Sequence, residues 1–183
     1  MKNISFLLFA ICLVIASCGD DRDAQIVLSN DGANLTSPNL PTDTYELATQ
    51  FTAAEVAPFA GQVLSEVDYF MADTPLSTSL KIYGEADGSQ PGALLYQCSL
   101  TGSINTDDWN THVLSTPITL TGEEIWISIR ARLPRTQQSV GCDAGPAVAG
   151  GDWVFQESDG LWQTFQARTG ESINWNIRGV VEE

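Results

Sequence analysis

The stretch Ile125-Trp126-Ile127-Ser128-Ile129-Arg130 decides the fold. Three isoleucines alternate with a tryptophan, a serine and an arginine, the period of two that a strand with one buried face requires. On a helix the same isoleucines would spread around the axis, because side chains there repeat every 3.6 residues. The alternation recurs on both sides of this stretch. Across residues 64–71, Val67, Tyr69 and Met71 share a face and Asp68 lies opposite; Leu80 and Ile82 flank Lys81. Leu94, Tyr96, Cys98 and Leu100 fall on one side, with Gln97 and Ser99 on the other. Residues 173–178 set Ile173, Trp175 and Ile177 against Asn174, Asn176 and Arg178. Shorter strands are expected at 109–114, 117–120, 152–156 and 161–166, separated by the turn pairs Asp87-Gly88, Pro91-Gly92, Thr121-Gly122 and Asp159-Gly160. Residues 53–60 suit one or two turns of helix, and Pro58 opposes more. About ten strands with such frequent turns predict an all-β chain, an antiparallel β-sandwich of jelly-roll type.

Charge narrows the function classes. The 183 residues carry 23 Asp and Glu against 8 Lys and Arg, a net charge of -15, and the only lysines are Lys2 and Lys81. Such an excess opposes nucleic acid and anionic lipid as partners. It favours solubility in the part that follows the apolar N-terminus.

That N-terminus reads as an address. Lys2 supplies a positive charge, residues 4–15 are almost unbroken apolar sequence, and Ile15-Ala16-Ser17-Cys18 follows. The run is too short for a membrane-spanning helix and is stopped by Asp20, Asp21, Arg22 and Asp23. The four residues ending at Cys18 resemble the lipobox of bacterial lipoproteins: an aliphatic residue, two small ones, then cysteine. The resemblance implies cleavage before Cys18, a lipid on its sulfur and acylation of the new amino group, which would anchor the chain stably to a membrane. Gly19 is not the aspartate of the inner-membrane retention rule, so an outer-membrane location is expected. The acidic run Asp20, Asp21 and Asp23 resembles tethers that send lipoproteins to the cell surface. The expected organisation is therefore a signal peptide at 1–17, a lipidated cysteine and acidic tether at 18–44 with at most one short early strand at its only apolar stretch, Ile26 to Leu28, and a β-sandwich at 45–183. A flexible tether of that length would span about 28 Å root-mean-square.

The segments "ATQFTAAEVAPFA" (48–60), "SLKIYG", "GSQPGALLYQ", "DDWNTHVL", "GEEIWISI", "GCDAGPAVAGGDW" and "INWNIRGVV" together resemble jelly-roll modules of bacterial secreted and surface proteins, often found beside adhesin or protease domains. The resemblance implies a binding role, with adhesion and carbohydrate recognition as the expected functions. It brings no catalytic motif with it.

The candidate chemistry is correspondingly sparse. Once Cys12 and Cys18 are assigned to the N-terminal segment, Cys98 and Cys142 remain. In an oxidising compartment they are expected to form a disulfide, worth about 4 kcal/mol in the chain-entropy model. His112 is the single histidine, so a multi-histidine metal site is excluded, and no G-x-S-x-G marks a nucleophile. Glycoside hydrolysis needs only two carboxylates, for which Glu66 and Asp68 are the pair on one strand. The glycine-rich segment from Asp143 to Asp152 offers hard oxygen donors for a structural calcium ion, with Asp107 and Asp108 as further donors; no other cofactor is expected. Of five tryptophans, Trp175 belongs to the core by its alternation, and Trp109 is expected to plug one end of the sandwich. Trp126 lies opposite the isoleucine face, and Trp153 and Trp162 flank the glycine-rich segment. Trp126, Trp153, Trp162 and Arg130 form the expected ligand site, indoles stacking on sugar rings beside a polar donor. The resulting expectation is a lipid-anchored, non-catalytic module binding a glycan or a surface protein. A carboxylate-pair hydrolase and a structural subunit of an envelope complex are the alternatives.

Overall fold

The computed structural model describes residues 26–86 and 89–183. The signal segment, Cys12, Cys18, Gly19, the acidic run and the Asp87-Gly88 turn lie outside the described residues. Among the described residues ten strands form two antiparallel sheets: β1 (Ile26–Leu28), β2 (Asp43–Phe51), β3 (Val63–Met71), β4 (Ser77–Tyr83), β5 (Leu94–Ser99), β6 (Asp108–Thr119), β7 (Ile125–Leu133), β8 (Trp153–Gln156), β9 (Leu161–Thr164) and β10 (Ile177–Glu182). The smaller sheet has the order β1-β10-β3-β6 and the larger β5-β4-β7-β2-β8-β9. Pairing is nested: β4 with β5, β3 with β6, β2 with β7, and β1 with β10. That nesting is the jelly roll expected from the alternation, with the β8–β9 hairpin added to the edge of the larger sheet. The short helix at residues 53–60 is present as α1 (Ala53–Val56) and a following 3₁₀ turn. Thr52 caps α1 in a reciprocal capping box with Glu55.

The core lies between the sheets. Leu47, Phe51, Leu80, Ile82, Ile125, Ile127 and Ile129 of the larger sheet meet Leu64, Val67, Tyr69, Met71 and Ile177 of the smaller one. The sheets come so close at Gly179 that a Cβ there would stand 2.8 Å from Leu64 Cδ1 and 2.9 Å from Ile127 Cδ1, which accounts for glycine in a strand interior.

Several expectations are corrected. Residues 26–44 are not a tether: β1 pairs with β10, Leu28 and Leu40 are buried, and Thr36 and Leu40 bridge to Cys142 and Gln137. Asp31 also receives Arg178 side-on, with contacts of 2.8–3.0 Å. The sandwich therefore includes this segment, which begins well before residue 45. The expected strands at 109–114 and 117–120 are one strand, β6. At the chain's end the strand is Ile177–Glu182; residues 173–176 precede it as irregular backbone, and Asn174 and Asn176 are buried rather than solvated. A register shift between Ile82 and Tyr83 turns Leu94 outward, where it is exposed. Residues 161–166 divide into β9 and the start of a helix, α2 (Phe165–Thr169), whose N-cap Thr164 accepts from Ala167 N–H. Among the described residues, no helix is long and apolar enough to cross a membrane.

Candidate functional site

The candidate site is the outer face of the larger sheet. Alternation on β7 sends Trp126, Ser128, Arg130 and Arg132 to that face, and register brings Gln50, Ala48, Glu46 and Thr44 of β2 beside them. From β4 come Tyr83, Lys81, Ser79 and Ser77. The β8–β9 hairpin extends the face with Trp153, Phe155 and Trp162, since Trp153 pairs with Ala48 and Phe155 with both Glu46 and Trp162. Ala48 is the small residue between Ser128 and Trp153.

Those aromatic rings form one cluster. Trp126 lies 5.1 Å from Trp153 and 5.9 Å from Trp162 between ring centroids, and Phe155 lies 5.5 Å from Trp162. The three tryptophans of the sequence expectation do lie together, but Trp126, expected to be open to a ligand, is 0 % exposed. Its indole is the floor, held by a hydrogen bond to Glu124 Oε1 of 2.6 Å, while Trp153 and Trp162 remain partly open to solvent. Trp153 Nε1 donates to Gln50 Oε1, which fixes the upper ring. Such pairs of indoles add attraction beyond the area they bury.

Next to the aromatic floor lies a buried carboxylate that the sequence reading missed. Glu46 is 2 % exposed although it faces outward. Its Oε1 accepts from the Tyr83 hydroxyl at 2.5 Å and the Ser128 hydroxyl at 2.8 Å, and its Oε2 accepts from Lys81 Nζ at 2.8 Å. Arg130 Nη1 stands 3.7 Å from Oε2, while its Nη2 donates to Glu157 at 2.7 Å. Burial, and then the charge and hydrogen bond of Glu46, push the Tyr83 phenol far up, so it stays protonated and donates. Nothing in the "TYELATQF" segment marks Glu46 as buried; an outward position on an alternating strand ordinarily means solvent.

Beyond this network the face becomes a shallow polar hollow. Two adjoining depressions share Thr44, Ser77, Arg130 and Arg132, and the larger measures about 660 Å³. Hydroxyls of Ser79, Ser99 and Thr101 line the smaller one. Thus one sheet face carries half-open indoles at one end and hydroxyls with guanidinium groups at the other, the combination that packs on sugar C–H faces and bonds sugar hydroxyls.

Other expected site residues lie elsewhere. Cys98 and Cys142 are both free thiols: Cys98 contacts His112 at 3.2 Å, and Cys142 is buried where it bridges Thr36 and Trp175. The expected disulfide is therefore absent, because β5 and the Cys142 segment belong to different parts of the sandwich. Burial, with the charges of Asp143 and Glu171, pushes the Cys142 thiol up to about 11. Asp143 works as an anchor for its loop, accepting N–H groups from Gly32, Gly145 and Asn174, and from the Asn174 amide, at 2.8–3.0 Å. Burial pushes its pKa up, but these hydrogen bonds outweigh burial and hold the carboxyl below its ordinary value. The Asp152 carboxylate instead accepts from Gln166 N–H, and burial raises it. Among the described residues no group of three or more His, Cys, Asp and Glu side chains is placed to hold a metal ion.

The smaller sheet's outer face carries the other candidates. Glu66 and Asp68 are partly exposed there, and Asp68 accepts from the Thr111 hydroxyl. Asp107 and Asp108 lie at the start of β6, where the Asp108 carboxylate accepts from Trp109 N–H. Trp109 does not plug an end of the sandwich. It stands on the outer face against Phe70, with the Arg178 guanidinium 4.2 Å above its ring. Trp175 is fully buried in the core, as its alternation predicted.

No family model matches the sequence, and no curated protein matches it. Among solved structures, a variant of the clostridial cysteine protease Cwp84 after propeptide cleavage is similar, with a TM-score of 0.61 at 10 % identity. The likeness covers 86 % of this chain and 40 % of the protease chain, so this chain spans well under half of that protein. At that identity the two share a fold and nothing finer. A structure of infectious bursal disease virus, Gt strain, aligns over 86 % of this chain and 38 % of its own at 10 % identity, but its TM-score of 0.25 is too low to indicate a common fold.

Proposed function

We propose that this chain is a non-catalytic, lipid-anchored module of the bacterial cell envelope that binds glycans on the outer face of its larger sheet. One observation carries the reading: Trp153 and Trp162 lie half-open over the buried Trp126, on the same sheet face as a hollow lined by Ser and Thr residues and by Arg130 and Arg132. Rigid indoles supply apolar area at low entropic cost, and the polar groups fix orientation. The Glu46 network holds Lys81 and Arg130 in place before any ligand arrives, which reduces the ordering that binding requires. The lipobox-like segment ending at Cys18 supports attachment to an outer membrane, with the ligand face held outside the lipid. The net charge of -15 supports glycans or surface proteins, not nucleic acid, as partners.

The test is a glycan array probed with the full chain and with Trp153→Ala, Trp162→Ala and Trp109→Ala. Losing one stacked indole should weaken binding of any glycan found by about tenfold, since an aromatic contact is worth up to about 1.5 kcal/mol beyond the area it buries. Trp109→Ala on the opposite sheet should bind as the wild type does. Binding unchanged by both Trp153→Ala and Trp162→Ala would refute the site. Mass spectrometry of membrane-extracted protein tests the anchor, and an unmodified Cys18 would refute it.

A further inference from the structure

Cys98 and His112 come from different sheets. Cys98 sits opposite Leu80 on the inward side of β5, and His112 sits opposite Val67 on the inward side of β6. Both strands are sheet edges, so the two residues meet where the sandwich opens along one side. Cys98 Sγ is 3.2 Å from His112 Nε2. The Tyr96 hydroxyl lies 3.1 Å from the same nitrogen and 3.3 Å from both the N–H and the hydroxyl of Ser115. A neutral ring has one acceptor nitrogen, so the phenol and the thiol compete for Nε2. Both Cys98 and His112 are partly exposed, so neither is sealed inside the core.

The surroundings favour a neutral imidazole. Burial alone holds His112 below its ordinary value. The titratable groups facing the pair are Tyr96 on β5 and Tyr69 on β3. Burial, then the neighbouring Cys98 charge, push the Tyr69 phenol up to about 12. It stays protonated. Cys142 offers the contrast of a thiol that is fully buried and has no imidazole contact.

We propose that Cys98 and His112 form a nucleophilic pair that attaches disulfide-bearing partners by thiol–disulfide exchange. His112 Nε2 takes the Sγ proton as Sγ attacks one sulfur of the disulfide. The partner's S–S bond breaks, a bond to Cys98 Sγ forms, and the departing thiolate recovers the proton from the imidazolium. One disulfide replaces another, so no external oxidant or reductant enters.

The experiment treats the full chain with dithiodipyridine, an uncharged disulfide that the protein's negative charge does not repel. Adduct formation at each cysteine is then followed by peptide mass spectrometry. At neutral pH Cys98 should be modified far faster than Cys142. His112→Gln should slow modification of Cys98 by about tenfold or more at neutral pH, less than the roughly hundredfold a positioned base typically supplies because some thiolate forms without it. At strongly alkaline pH, where hydroxide removes the proton unaided, the two rates should converge. Tyr96→Phe releases Nε2 to the thiol and should raise the neutral-pH rate. Equal rates for wild type and His112→Gln at neutral pH, an equal slowing at both pH values, or modification of Cys98 only after denaturation would each overturn the proposal. Near-UV circular dichroism checks that the variants are folded. If His112→Gln does not fold, a Tyr96→Phe rate no higher than wild type overturns it.

Discussion

Replacing Glu46 by methionine should destabilise the sandwich far more than an outward-facing strand position normally would. The glutamate side chain is 3 % exposed and serves three donors: Tyr83, Ser128 and Lys81. Methionine fills the space but accepts nothing useful. Removing one member of a fully buried ion pair costs about 3–5 kcal/mol. Two features lower the figure here. Lys81 and Arg130 keep 17 % and 28 % side-chain exposure, so water can reach them. Ser128 also retains a contact with the Lys81 carbonyl at 3.3 Å. The expected loss is therefore about 3 kcal/mol, at the bottom of that range. For a domain of this size each kcal/mol moves Tm by about 2–4 °C, so Glu46→Met should lower it by about 6–12 °C. The assay is thermal unfolding followed by circular dichroism, with urea titration to obtain the free energy directly. A second variant separates the ion pair from packing. Adding Lys81→Met removes the stranded cation and should recover at least about 1 kcal/mol relative to the sum of the two single changes. A Tm drop below about 2 °C for Glu46→Met would refute the network's structural role, and so would strict additivity in the double variant.

Two further predictions follow from the fold. Deleting residues 1–25 should leave a folded domain, whereas starting the chain at residue 45 should abolish cooperative unfolding, because it removes β1, Leu28, Leu40 and the Asp31 partner of Arg178. A cooperative transition in the shorter piece would return residues 26–44 to the status of a tether. The two buried aspartates should respond to pH in opposite senses. Asp143 is held below its ordinary value of 3.8, so its contribution is present above that pH and lost as pH falls through the lower folded value. Asp143→Asn should therefore cost about 1–3 kcal/mol at neutral pH, with the gap to wild type closing in acid. Asp152 is raised above 3.8, so its contribution is complete below that pH and is lost as pH rises through the folded value. Asp152→Asn should be the more stable protein at neutral pH, and the difference should vanish in acid. Urea midpoints measured across the acid range test both signs.

Much of the sandwich was legible along the chain. Ile125, Ile127 and Ile129 do face the core, Leu80 and Ile82 do flank an outward Lys81, and Pro58 does limit the helix. The errors cluster where pairing partners are distant in sequence. Residues 26–44 are polar and turn-rich, so they resemble a linker; their place depends on Val181, Cys142 and Gln137 more than 90 residues later. Asn174 and Asn176 alternate with apolar residues as exposed groups would. Their amides instead bond Asp143 and Asp31, which no local pattern announces. The candidate site was half legible, its tryptophans named but its buried carboxylate missed.

Alternation alone determined that this is an all-β chain and which side of each strand meets the core, because a period of two assigns faces. It could not determine depth. Trp126 and Glu46 both point away from the core and are both buried, since residues from β4, β8 and β9 cover them. Only the tertiary structure decided that, together with the meeting of Cys98 and His112 across two sheet edges. The physical reason is the same in each case. Burial on an outer sheet face depends on the size of neighbours on adjacent strands, and adjacency is set by the nested pairing of the jelly roll rather than by order along the chain.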